Sequence, residues 1–60
     1  MNVIITIHGK DDVIGIMDAK RVLNNLYEGA EQVYINGRKI EIDAEERRAI
    51  MRQLHGELYV

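Results

Sequence analysis

Two stretches of this chain follow one grammar. Residues 5–29 read ITIHGKDDVIGIMDAKRVLNNLYEG, and residues 33–56 read VYINGRKIEIDAEERRAIMRQLHG. Each passes through an alternating apolar segment, a turn of the form x-Gly-basic and a second alternating segment. An Asp-Ala pair, a helical stretch and a Gly follow. Period-2 alternation specifies strands, and apolar residues three and four apart specify an amphipathic helix. The chain therefore parses as hairpin then helix, twice, in the order β-β-α-β-β-α. The predicted fold class is α+β, a two-layer sandwich with this pseudo-repeat. A mainly antiparallel four-stranded sheet would carry both helices on one face. One domain would span 1–60, with units of about 2–29 and 31–56 and a short apolar tail over 57–60.

The second hairpin is the firmest local prediction. Asn36-Gly37 lies between alternating apolar residues. A type I′ turn needs positive φ at both central positions, and Asn-Gly supplies it at low cost. A two-residue loop pairs Ile35 with Arg38, Val33 with Ile40 and Glu31 with Ile42. That register sends Val33, Ile35, Ile40 and Ile42 to one face and Gln32, Tyr34, Lys39 and Glu41 to the other. A one-residue slip would scatter the aliphatics.

The first half has two readings. One long helix over 11–28 would set Ala19, Val22, Leu23, Leu26 and Tyr27 on one stripe but leave Val13, Ile14 and Met17 on the far side. It would also hold Gly15 in its interior, at about 1 kcal/mol relative to Ala. The hairpin reading takes residues 9–12 as the loop and pairs His8 with Val13, Ile7 with Ile14 and Ile5 with Ile16. Val3, Ile5, Ile7, Ile14 and Ile16 then share the core face. Asp18 and Asp43 are the expected N-caps, with Glu46 completing a capping-box pattern after Asp43. Gly29 and Gly56 stand where a left-handed residue ends a helix. The second helix would turn Ala44, Ile50, Met51 and Leu54 inward, and the tail would either extend it or form a short strand.

Covering one sheet face leaves the other open. That face would carry Ile4, Thr6, His8, Val13, Gly15 and Met17 from the first hairpin, with Gln32, Tyr34, Lys39 and Glu41 from the second. A wet sheet face is normally polar, and the first hairpin's share is apolar. A contiguous apolar patch marks an interaction surface. Ile4, Thr6, His8, Val13, Met17, Tyr34 and Lys39 are therefore the candidate partner- or dimer-binding residues. A homodimer would hide the patch and stabilise a chain of 60 residues that has no cysteine to form a disulfide.

The residues for catalysis are scarce. Serine and cysteine are absent, and Thr6 is the only threonine. Thr6 and His8 share a strand face without a third orienting group, which reads as two polar surface residues. His8, Asp11 and Asp12 cluster at a turn, where Asp is common for conformational reasons. His55 suits the negative end of a helix. No catalytic residue, metal site or cofactor is expected. Eight basic residues against ten acidic ones give a net charge of −2, which disfavours a nucleic-acid partner. No apolar run reaches the roughly 18 residues of a membrane span, and residues 1–9 lack the basic segment of a signal peptide.

These features point to a non-enzymatic, cytoplasmic protein-interaction module. It would be homodimeric and would inhibit or modulate a larger protein, in the manner of small phage- or plasmid-encoded anti-defence inhibitors acting in host cytoplasm. The competing expectation is a nucleic-acid-associated regulator. It would use Tyr34 on the open sheet, or Arg47, Arg48 and Arg52 on the second helix.

Overall fold

The computed structural model describes residues 1–59. Its elements run β1 (Asn2–Ile7), β2 (Lys10–Gly15), α1 (Ile16–Tyr27), β3 (Gln32–Ile35), β4 (Arg38–Glu41) and α2 (Ala44–Leu58). The described residues form an α+β fold, with two helices and four strands. The strands form two separate two-stranded antiparallel sheets, β1–β2 and β3–β4, in place of the expected four-stranded one.

The second hairpin has the predicted register, with Ile35 opposite Arg38 and Val33 opposite Ile40. The Ile42 amide extends the pairing by donating to the Glu31 carbonyl at 2.9 Å. The first hairpin corrects the expectation. Its turn holds two residues, His8 and Gly9, with φ of 54° and 75°, matching Asn36 and Gly37 at 50° and 81°. Ile7 therefore pairs with Lys10, Ile4 with Val13 and Val3 with Ile14; His8 pairs with nothing. Ile14 faces Val3 instead of Ile7, a displacement of four residues. Because side chains alternate with period 2, an even displacement keeps Val3 to Ile7 and Val13 to Gly15 on their expected faces, while residues 10–12, expected as loop, join β2. Val3, Ile5, Ile7 and Ile14 still point inward and are buried.

The helix starts also differ from expectation. The first helix begins at Ile16, so Ile16 and Met17 are helical and Asp18 lies inside the first turn. Gly15 takes the N-cap position with φ −73° and ψ 161°, and no side chain caps the helix. The second helix does have its predicted cap, with the Asp43 carboxylate accepting from the Glu46 amide at 2.7 Å. Both helices start seven residues beyond their turn glycine, Ile16 after Gly9 and Ala44 after Gly37. The spacing from turn to helix is thus the same in both halves, and an Asp-Ala pair marks the helix start only in the second.

Helix α1 ends as predicted. Gly29 has φ 89°, its amide donates to Leu26, and the Ala30 amide donates to Asn25, which is the Schellman arrangement. Gly56 does not end α2. The helix runs through it to Leu58, with the Tyr59 amide bonded to the His55 carbonyl, so the tail extends the helix. Val60, the last tail residue, lies outside the described residues.

One apolar cluster joins all six elements. Val3, Ile5, Ile7 and Ile14 meet Val33, Ile35 and Ile42 beneath Ala19, Val22, Leu23 and Leu26 of α1 and Ile50 and Leu54 of α2. Ile16, Ile40, Met51 and Leu58 pack at its margin. Burying each large aliphatic stabilises the fold by about 1.5–3 kcal/mol. Helix α2 packs chiefly against α1 and β1, and α1 reaches β3 as well as β1 and β2. Each half thus closes on the other.

Two substitutions follow from the backbone. Gly37→Ala puts a Cβ at φ 81° and should destabilise by about 1–2 kcal/mol in chemical denaturation. Gly15→Ser meets nothing within 4 Å, suits its φ, and supplies the missing cap acceptor. It should raise stability by about 0.5–1 kcal/mol in the same assay.

Candidate functional site

Alternation divides each hairpin into a core face and an outer face. In the first hairpin the outer face has three cross-strand rows: Asn2–Gly15, Ile4–Val13 and Thr6–Asp11. In the second it has two, Gln32–Glu41 and Tyr34–Lys39. Counting from the two-residue turns, these are non-hydrogen-bonded pairs, whose side chains approach most closely and whose backbone groups point off the strand edges.

The sequence-predicted site residues divide accordingly. Ile4 and Val13 stand directly opposite each other and are 56% and 55% exposed. Thr6 is on the same face, its hydroxyl donating to the Asp11 carboxylate at 2.6 Å. Tyr34 and Lys39 form a row on the second hairpin, with Tyr34 53% exposed. Met17 is 84% exposed but belongs to the first turn of α1 rather than to a strand. His8 is not on the patch. Its place in the left-handed turn swings the ring toward the second hairpin, where Nε2–H donates to the Glu41 carbonyl at 2.8 Å. Its Nδ1 lies 4.0 Å from the Glu46 carboxylate, and its amide donates to the same group at 3.4 Å.

The strand edges are plugged by side chains. The Gln53 amide of α2 accepts from the Thr6 N–H at 2.9 Å and donates to the Thr6 carbonyl at 2.8 Å, imitating a paired strand residue on the β1 edge. Arg21 of α1 donates to the Tyr34 carbonyl of β3 at 3.0 Å. Asn36 donates to the Val13 carbonyl of β2 at 3.3 Å, and His8 caps Glu41 at the end of β4. These two contacts join the hairpins through turn side chains, where a four-stranded sheet would have a backbone ladder. Open edges invite pairing with other chains, and polar plugs suppress it.

The polar residues that suggested chemistry are dispersed. Asp11 bonds Thr6, Asp12 pairs with Arg38 at 2.7 Å, and His8 bonds Glu41. Among the described residues no three His, Asp or Glu side chains converge as a metal site. No cavity is found among the described residues. His55 is exposed in the last turn of α2, its ring 5.6 Å from Tyr27, edge to face, and 5.5 Å from Tyr59. This aromatic cluster and the Gln53 plug were missed in the sequence, because both need the two halves docked. Among the described residues no helix is long and apolar enough to cross a membrane. Comparison with protein-family models, with curated proteins and with solved structures finds no match.

Gln53→Ala would strip the Thr6 backbone of both partners in a half-buried setting. An unsatisfied buried group costs about 1–3 kcal/mol. In a chain this size the melting temperature should fall by roughly 5–15 °C. A fall under about 2 °C, small on that scale, would show that water replaces the plug without loss.

Proposed function

We propose that this chain is a non-enzymatic protein-interaction module that inhibits or modulates a larger protein, using the outer faces of its hairpins as binding surfaces. The reading rests on one comparison within the molecule. His8 and Asn36 are 28 positions apart, as are Val13 and Glu41, Ile4 and Gln32, and Gly15 and Asp43. With that offset the two turns coincide, and each paired row of the second hairpin matches one of the first. The cross-contacts are reciprocal: His8 bonds Glu41, and Asn36 bonds Val13. The chain on this view is a ββα unit repeated with a spacing of 28, its two halves related by an internal pseudo-two-fold. Both hairpins form one layer and both helices the other.

The repeat acts as an internal control. Gln32 and Glu41 serve the outer face of the second hairpin, so the frame accepts polar residues there. The first hairpin places Ile4 and Val13 at the same positions, more than half exposed. High strand propensity would be served equally by threonine, which leaves recognition as the reason for aliphatics. The second hairpin offers Tyr34 beside Lys39, a rigid aromatic with an adjacent charge, of the kind that anchors interfaces.

Capture from an extract of the source cell tests the reading. The wild-type chain should retain a specific larger protein, and Val13→Asp or Tyr34→Ala should reduce retention at least tenfold with an unchanged melting curve, as expected for an interface anchor. Retention indifferent to both substitutions would refute the assignment of the outer faces.

A further inference from the structure

We propose that the apolar outer face of the β1–β2 hairpin is covered by the same face of a second copy of this chain. In this dimer Asp11 of each copy lies against the N-terminus of its partner's α1. The inference rests on the interaction-module reading and adds the occupant of one face. Tyr34 and Lys39 of both copies stay available for the larger protein.

The face is self-complementary in its layout. Its three rows lie two residues apart, about 6.8 Å, with the apolar Ile4–Val13 row in the middle. Consider a two-fold axis lying over that row and running along it. A half turn sets Ile4 on Ile4 and Val13 on Val13, and exchanges the outer rows. Thr6 then faces the partner's Asn2, and Asp11 faces the partner's Gly15.

The exchange brings together opposite charges. Asp11 is exposed, accepts a hydrogen bond from Thr6 and makes no ion pair among the described residues. Gly15 is the N-cap of a twelve-residue helix and offers its first-turn amides no side-chain acceptor. Asp18, the acid of that turn, is held by Arg21 at 3.4 Å. A carboxylate arriving from outside meets partly positive backbone N–H groups.

The second hairpin reverses both terms. Lys39 stands at the position matching Asp11, and Asp43, matching Gly15, already caps its own helix. The missing cap, the acid in the row beside the turn and the apolar row therefore occur together on one hairpin, where the matching positions of the other hold Asp43, Lys39 and the polar Gln32–Glu41 row. A second copy accounts for all three at once. A hairpin-sized contact falls at the small end of protein interfaces, so a weak, concentration-dependent dimer is expected.

Sedimentation of the purified full chain from micromolar to millimolar concentration tests the dimer. The wild type should dimerise. Val13→Asp should weaken association at least tenfold while melting as a folded protein. Asp11→Asn, which keeps the Thr6 contact, should weaken it about fivefold and flatten its salt dependence. Gly15→Asp, which caps α1 from within and opposes Asp11, should also weaken it while raising thermal resistance. Gln32→Asp, the matching position on the second hairpin, should leave it unchanged. A monomer at every concentration, or a dimer that Val13→Asp or Gly15→Asp leaves intact, overturns the proposal. A monomer that still captures a larger protein through Val13 would overturn the dimer and spare the module reading. Association indifferent to Val13→Asp, with capture indifferent to both Val13→Asp and Tyr34→Ala, would end both.

Discussion

Two pairs of left-handed residues hold the structure in register. His8-Gly9 and Asn36-Gly37 reverse the chain within two residues, and a turn that short admits one pairing of its strands. The pairing decides which side chains face the core, and the distance from turn to helix places each helix over it. His8 adopts φ 54°, an uncommon state for a residue with a Cβ. The hydrogen bond from its ring to Glu41 and the one from its amide to Glu46 help offset that strain. The strained residue is thus also a clasp between the halves, as is Asn36 through Val13.

The halves depend on each other because each lacks something the other supplies. The β1 edge is closed by Gln53 from α2, and the β3 edge by Arg21 from α1. Helix α2 packs on β1 rather than mainly on its own hairpin. An isolated two-stranded hairpin is marginal in water, and a lone helix of twelve to fifteen residues is little better. Crossed packing makes one cooperative core from pieces that would be unstable alone. It also leaves no polar side-chain atom buried without a partner among the described residues.

Much of this was legible in the sequence, and the failures have a common cause. The Asn36-Gly37 turn, the faces of β1, β3 and β4 and of residues 13–15, the Asp43 cap and the Gly29 stop could be read because each is a local signal. The first hairpin was misjudged at its turn. His8-Gly9 is a weaker advertisement for positive φ than Asn-Gly, and the acidic run after it resembles a longer loop. The resulting register error was even-numbered, so the face assignments survived while the partners did not. Asp18 looked like a cap, and Gly15, which has no side chain to announce the role, took the position instead. His8 was placed on the wrong surface because its direction depends on the turn, and the edge plugs depend on docking between distant segments.

The comparison between halves also bears on why the exposed aliphatics persist. Burial of a β-branched side chain yields about 1.5–3 kcal/mol, and Ile4 and Val13 each forgo roughly half of that in the isolated chain. Folding gives no reason to keep them, since the sibling hairpin holds its register with Gln32 and Glu41. Nor does solubility, which favours polar residues there. The uncapped start of α1 runs the same way: Asp43 shows that this frame accepts a cap, yet Gly15 leaves the position open. Under the proposed function, these two departures from local optimum on one surface, each absent at the matching place on the other, belong to a surface shaped by binding. The first hairpin gives up stability at the places where a partner could return it.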